Sequence, residues 1–432
     1  MRKSSKIAVI GGGPMGLAVA YELTIQGYKP VIFEADNRLG GMASCFDFEG
    51  LEIERYYHFH CLNDKGFFRI LDEIGLKSQL NWKRTKMGFY YQGKLYKWGS
   101  LISVIMFSKV SFLTRLRYLL HAARCLTIKD WNHLDNIDAI NWLRKWLGDE
   151  GYEELWEKLF SYKFYQFSNQ ISAAWIWSRI NRLGKSRKKL KENLGFLKNG
   201  SIQLINEMSK IIMANGGEIK ISSPIINIKP LKKSGAYINT PTDEYKFDLV
   251  ISTIPLPLIG EIFSKSNINN LITNSYKKLN YVACVCVILK TSEKVTNNFW
   301  TNINDSRFSI PGIIEMSNLR NLPENITYIP FYMPQNHPDY LRDDESFKED
   351  AWQCVKSINP NLKNKDLISS HCSRYKYAQP ICEKNFKDKL PDQEPFNGIF
   401  TVDTTAYYPE DRGISESIDF GRNLVKKILK SK

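Results

Sequence analysis

The sequence predicts an α/β fold: a parallel-sheet domain assembled from three separated stretches of chain, with an α+β domain inserted between them. Three observations predict it. A complete strand–helix–strand pattern occupies residues 7–34, a helix followed by buried strands lies at 197–255, and a strand–loop–helix occupies 398–420. The segments between them have different periodicities, mostly helical at 80–194 and mixed at 260–390. The expected divisions are 1–79, 195–259 and 391–432 for the sheet domain. Residues 80–194 form the mainly helical part of the insert and 260–390 its mixed part.

Ile7–Ile10 is a short continuous apolar run, as for a parallel strand buried on both faces. Gly11-Gly12-Gly13-Pro14-Met15-Gly16 follows and matches GxGxxG, then a helical pattern runs from Leu17 to Gln26 and stops at Gly27. A second strand, Pro30–Phe33, ends at Glu34. This is a Rossmann-like dinucleotide-binding unit, with the acid roughly 20 residues past the glycines. Gly11 allows the tight turn, Gly13 lets a pyrophosphate approach the backbone, and Gly16 lets the helix pack on the strand. The helix N-terminus, beginning at Pro14 and Met15, offers free N–H groups to phosphate, and Glu34 can accept from ribose hydroxyls.

After Glu34 come Ala35, Asp36, Asn37, Arg38, Leu39, Gly40, Gly41 and Met42. This EA…R.GG extension resembles the large flavoprotein group that contains amine oxidases, protoporphyrinogen oxidase, phytoene desaturases and UDP-galactopyranose mutase. The resemblance implies FAD as cofactor, an FAD-binding domain discontinuous in sequence, and an inserted substrate domain over the flavin. It implies cofactor contacts at Ala35, Arg38, Gly40, Gly41 and Met42. Leu197–Gly217 looks like the family's glycine turn and helix. The run Ile225–Ile228 lies where the family clamps the adenine end with backbone, so Ile226 is the expected contact. Phe247–Pro255 resembles the family's "D.VI.TiP" strand and brings in Thr253. In Gly398–Phe420 a strand ends at Asp403, and a loop leads to Gly413, Ile414 and Ser415 at a helix start expected to face the cofactor. Many family members carry Gly-Glu where this chain has Val402-Asp403.

The substrate side is less specific. Asp138–Leu147 and Tyr152–Phe160 have helical periodicity and many aromatics, most of them expected in the core. Leu101–Thr127 is apolar with Lys109, Arg115, Arg117 and Arg124. It reads as a core helix with a solvated basic face, with an interfacial helix lying on a membrane as the alternative. Gly184–Lys191 is a basic stretch that reads as exposed loop or helix end, with phosphate or lipid head-group contact as the alternative. His58 and His60 follow the glycine motif closely. In a strand they would share one face, toward flavin and substrate, where an imidazole could donate a hydrogen bond or move a proton. Packed histidines are the alternative, and metal is not expected. Trp175, Trp177, Arg179 and Arg182 form a further cluster whose arginines could hold a substrate phosphate. The catalytic candidates are therefore His58, His60 and Arg179. The Arg…Tyr-Gln pattern of the mutase branch does not occur here in recognisable form.

Composition bounds the rest. The chain has 432 residues, 43% of them hydrophobic and 24% charged, which fits a folded protein and excludes disorder. The net charge is +15, and residues 101–200 carry +8 of it. No nucleic-acid module accompanies that charge. It points instead to a small-molecule substrate, anionic, phosphorylated or lipid-linked, or to peripheral membrane contact. Eight scattered cysteines without CxxC argue against zinc and redox dithiols, and fit a cytoplasmic location. Cys284 and Cys286 share one strand face and read as small core residues. The glycines at 11–13 break the apolar N-terminal stretch, so it is not expected to be a signal peptide. The expected activity is hydride transfer between a small organic substrate and flavin N5. The alternative is a flavin-dependent nucleotide-sugar mutase without net redox change.

Overall fold

In the computed structural model, which describes residues 2–188 and 191–431, five strands form one parallel sheet. Their spatial order is Glu218–Lys220, Pro30–Phe33, Ile7–Ile10, Leu249–Ser252 and Ile399–Thr401. All three stretches singled out in the sequence thus contribute to a single sheet. The first strand explains why its residues are apolar without alternation. Ile7 and Val9 enter one core, Ala8 and Ile10 enter another, and all are at most 3% exposed.

On the Ile7/Val9 face lie three helices: Pro14–Ile25, Ile202–Ala214 and Ile414–Ser431. The first and last are joined by charge as well as packing. Arg422 Nε donates to buried Glu22 at 2.8 Å and its Nη1 to Glu73 at 2.8 Å. On the other face a small antiparallel sheet, Asn227–Pro230, Ala236–Asn239 and Glu244–Phe247, packs Tyr245 at a tilt and Phe247 edge-on against Phe33.

A second, seven-stranded sheet stands opposite. Its order is Leu367–Pro380, Tyr281–Thr291, Asn325–Pro334, Gly312–Glu315, Trp300–Asn304, Met87–Tyr91 and Lys94–Trp98. Tyr281–Thr291 is buried throughout, and its alternation sorts it between two cores. Ala283, Val285 and Val287 meet the helix Asp344–Ile358 side, while Val282, Cys284 and Cys286 face inward. The helix Glu157–Phe164 packs on the strand Asn325–Pro334 of this sheet, Ala139–Leu155 packs on that helix, and Phe112–Thr127, Ala139–Leu155 and Ala173–Lys185 pack on one another. Ala139–Leu155 is kinked at Gly148, whose φ is +78°.

Three features differ from the sequence expectations. The segment from residue 80 opens with strands Leu80–Arg84, Met87–Tyr91 and Lys94–Trp98 before any helix begins. Phe89, Tyr91, Tyr96 and Trp98 all pack on Phe107, so the aromatics serve a sheet rather than a bundle. Leu101–Thr127 is two helices, Leu101–Ile105 and Phe112–Thr127; Val104, Phe107 and Val110 are buried, but Ile102, Met106, Phe112, Leu113, Leu116 and Leu120 point outward instead of into the core. Arg55–His60 is not a strand; only His60 makes an isolated bridge, to Gly195. Of the basic stretch 184–191, residues 189 and 190 lie outside the described residues. Among the described residues no helix is long and apolar enough to cross a membrane.

Candidate active site

A cavity of about 680 Å³ lies between the two sheets. One part of its wall is the glycine turn. Gly11 has φ +103°, a conformation that a Cβ would strain, and a Cβ there would also touch Ile254 and Thr253 at 2.9 Å. Gly16 lies behind the wall, where an added Cβ would sit 1.8 Å from the Gly11 carbonyl oxygen, so the helix can approach the strand only without one. Gly13 is different: nothing lies nearer than 3.9 Å to its Cβ position, and that side is open to the cavity. No side chain caps the helix that starts at Pro14. Its first N–H groups are thus left for an anion.

Glu34 lines the cavity beside this turn and is held by backbone. Its Oε2 accepts from Gly12 N–H at 2.6 Å and its Oε1 from Asp36 N–H at 2.8 Å. Burial raises its pKa despite these bonds. On the far side Asp403 is fully committed. One oxygen accepts from Leu256 N–H at 3.0 Å and from the Tyr281 hydroxyl, the other from Thr405 N–H at 2.9 Å and Oγ1 at 2.7 Å.

The remaining wall comes from the inner sheet and the helical cover. Tyr57 and Tyr332 share a hydroxyl–hydroxyl bond of 2.9 Å, and the Tyr57 ring meets Trp300 edge-on at 5.5 Å. Burial pushes the Tyr57 hydroxyl up to about 12. Lys163 reaches in from the helix Glu157–Phe164, only 3% exposed, over the rings of Tyr332 at 4.8 Å and Trp175 at 5.1 Å. It forms no ion pair among the described residues. Burial, with the positive charges of Arg179 and Arg412, holds its pKa well below the ordinary lysine value. Arg179 pairs with Asp411 and lies 4.8 Å over the Trp175 ring. Arg412 donates to Gln379. The depressed pKa favours the neutral amine of Lys163, and the two guanidiniums of Arg179 and Arg412 outnumber the one carboxylate, Asp411, by one charge.

The sequence model of the family described as flavin containing amine oxidoreductase matches residues 16–401. The chain belongs to that family. Its members are FAD-dependent oxidoreductases, and FAD is the cofactor of this flavoprotein. Among curated relatives, zeta-carotene desaturase of Solanum lycopersicum is 35% identical over 91 residues, which are 20% of this chain and 15% of the relative. The matched stretch is thus a small part of the relative's length. Among solved structures, a putative protoporphyrinogen oxidase from Exiguobacterium sp. 255-15 covers 99% of both chains at 17% identity and TM-score 0.77. Reduced UDP-galactopyranose mutase covers 99% of this chain and 96% of its own at 15% identity and TM-score 0.76. These last two are likenesses of fold.

The residues of this flavoprotein fit its cofactor. The open side of Gly13, the uncapped helix start and Glu34 meet in one cavity. The buried Tyr56 hydroxyl and Arg182 Nε also belong to its lining and have no hydrogen-bond partner among the described residues. Of the sequence-derived candidates, Gly11, Gly13, Pro14, Met15, Glu34 and Ala35 line the cavity, as do Gly41, Met42, Ile226, Thr253, Asp403, Gly413 and Ile414. Four do not. Gly16 packs behind the turn. Arg38 lies 3.7 Å from one oxygen of Asp36 and donates to Cys45 O at 3.4 Å, while Arg55 meets the other Asp36 oxygen at 2.7 Å. Gly40, at φ +107°, packs on Ile205 and Ser44 and donates its N–H to Gly12 O at 2.9 Å. Ser415 Oγ accepts from Phe67 N–H at 3.3 Å. Ile226 lines the cavity but its N–H is already given to Asn239 O at 2.8 Å, and buried Ile225 stands beside it.

His58, His60 and Arg179 also line the cavity, in different company from that expected. His58 Nδ1 is 2.8 Å from Tyr56 O. His60 stacks on Phe67 at 3.5 Å, with Asp64 3.7 Å from its Nδ1. Burial lowers both imidazoles, which favours their neutral forms. Arg182 pairs with Asp64 at 3.2 Å. With Arg179 paired to Asp411, neither arginine of that helix is a free phosphate clamp. Lys163, Asp411, Arg412 and the Tyr57–Tyr332 pair were not singled out by sequence. For Lys163 a signal exists: Phe160, Lys163 and Phe164 share one helical stripe, so a lysine sits at a core position.

Proposed function

We propose that the protein is an FAD-dependent oxidoreductase that moves a hydride between a small organic substrate and flavin N5. The observation that carries this is one cavity shared by the glycine turn and by the wall of Tyr57, Trp300, Tyr332 and Lys163. The residues that would hold the cofactor are Gly11, Gly13, Pro14, Met15, Glu34, Thr253, Gly413 and Ile414. FAD, when bound, supplies the hydride acceptor or donor. The chain's own residues do the rest. Tyr57, Trp300 and Tyr332 enclose the substrate and exclude water. As the substrate's C–H bond gives up hydride, its adjacent N–H or O–H proton passes to the neutral Nζ of Lys163. The single net positive charge left by Arg179, Arg412 and Asp411 favours a substrate with one anionic group, such as a carboxylate.

A mutase acting on nucleotide sugars would need a strong diphosphate anchor, and Arg179 and Arg182 are both neutralised by carboxylates. That alternative therefore has no support in this wall. The test is purification with flavin quantified, then anaerobic addition of amines, amino acids and hydroxy acids while flavin absorbance is followed. Bleaching by a monoanionic substrate supports the reading. Protein that takes up no FAD, or flavin that bleaches only with uncharged substrates, would overturn it or its substrate class respectively.

A further inference from the structure

The helix Phe112–Thr127 is mounted inside out. Its inward residues are Thr114, Tyr118, His121 and Cys125, with the His121 ring against Trp142 at 4.4 Å. Its outward face carries Phe112 at 66% exposure, Leu113 at 55%, Leu116 at 44% and Leu120 at 56%. At 100° per residue these four fall within one ~100° arc. The short helix before it adds Ile102 and Met106, each 73% exposed. Arg115 ties the two helices together by donating to the Ile105 carbonyl, so their apolar side chains form one surface. Monomeric proteins rarely expose contiguous apolar surface on this scale without a partner.

The charges around the patch state what kind of partner. Residues 101–129 contain Lys109, Arg115, Arg117, Arg124 and Lys129 and no acidic residue. Arg117 and Arg124 lie at one border of the apolar arc and Arg115 at the other. Basic flanks with an apolar centre are the pattern of a helix lying in the head-group layer, its apolar face buried ~5–10 Å deep. A second copy of the chain is a poor fit, because the two faces would bring five positive charges against five.

From the outward face and the basic border we infer that residues 101–126 dock this protein on an anionic lipid bilayer. The docking face is one helix away from the cavity. Ala173–Lys185 turns Arg179 and Arg182 to the cavity, while its Trp177 donates to Cys125 O at 2.8 Å and its Gly184 packs on Leu126. The inference stands independently of which substrate the cavity takes.

The test is flotation of the flavin-loaded protein with vesicles of phosphatidylcholine alone or with phosphatidylglycerol added. Binding to the anionic vesicles, weakening with salt, is expected, with little on phosphatidylcholine alone. L116S/L120S should abolish it while flavin content and melting temperature stay at wild-type values, since both side chains are exposed. R117E/R124E should weaken it by roughly fivefold or more per cation lost. Equal binding to both vesicle types, no binding at low salt, or undiminished binding of L116S/L120S would overturn the inference. So would a concentration-dependent dimer in sedimentation velocity that L116S/L120S abolishes, which assigns the face to a second copy. Loss of flavin in wild-type protein would bear on the oxidoreductase reading and leave the vesicle result standing.

Discussion

The Nζ of Lys163 lies 4.8 Å from the centre of the Tyr332 ring, and no carboxylate among the described residues pairs with it. Burial without a counter-ion favours the neutral amine, and a neutral amine is a base. Lys163→Met removes that base and retains volume. The reductive half-reaction should slow by roughly 10²–10⁴-fold, read as the rate of anaerobic flavin bleaching. Stability should hold or rise, because a buried polar amine without a hydrogen-bond partner among the described residues is replaced by an apolar group of similar volume.

The same lysine sets a pH dependence with a definite sign. Its folded pKa is depressed, so between that value and about 10.4 the unfolded chain binds the extra proton. Wild-type stability should therefore gain more than that of K163M between about pH 7 and pH 9. Urea unfolding of both proteins at the two pH values checks it, and parallel changes would refute the assignment.

Asp411 is held the opposite way. Burial alone would raise its pKa, but the guanidiniums of Arg179 and Arg412 outweigh burial and hold it below the ordinary carboxylate value. Asp411→Asn leaves Arg179 without its partner and should cost roughly 3 kcal/mol near neutral pH. That contribution is complete above the unfolded carboxylate pKa and is lost as pH falls through the folded value, so the difference between wild type and D411N should shrink in acid. The variant's wall also gains one net positive charge. Benzoate, a monoanionic probe, should bind D411N roughly fivefold more tightly, read from perturbation of the flavin spectrum.

Three histidines, His60 and His121 buried and His58 half-buried, add acid sensitivity. Burial lowers His58 and His60 and pushes His121 down to about 4. Each is neutral when folded and binds a proton more readily when unfolded. Their destabilisation begins as pH falls below about 6.5 and deepens toward the folded values. His121→Phe, which keeps an aromatic ring against Trp142 and Trp146, should lessen the loss of melting temperature below that pH.

What was legible in the sequence was local. The glycine turn, its helix and Glu34 are fixed by contacts within 34 residues, so spacing alone places them in one unit. The joining of Ile399–Thr401 to Leu249–Ser252 is not local, and it was reached through resemblance and not from periodicity. Periodicity also shows that Phe112–Thr127 has an apolar face but not which way it points. The inward face, with His121 between Trp142 and Trp146, is chosen by partners 20 or more residues away. Arg412 and Asp411 escaped notice because their meaning depends on Arg179 and Tyr332, brought up by other elements.

Two glycines separate cofactor binding from folding. At Gly16 a Cβ would lie 1.8 Å from the Gly11 carbonyl oxygen, so Gly16→Ala must push the helix off the strand and should cost about 1–3 kcal/mol by overpacking. At Gly13 the Cβ would meet only Gly41 Cα, at 3.9 Å, and the backbone has an ordinary φ of −72°. Gly13→Ala should therefore melt within a few degrees of wild type when both lack flavin. Its methyl group would occupy the surface a pyrophosphate needs, so FAD affinity should fall on the order of tenfold or more. Calorimetry of the apoproteins and FAD titration by fluorescence quenching measure the two effects separately. G13A binding FAD as tightly as wild type would show that the diphosphate does not lie against Gly13.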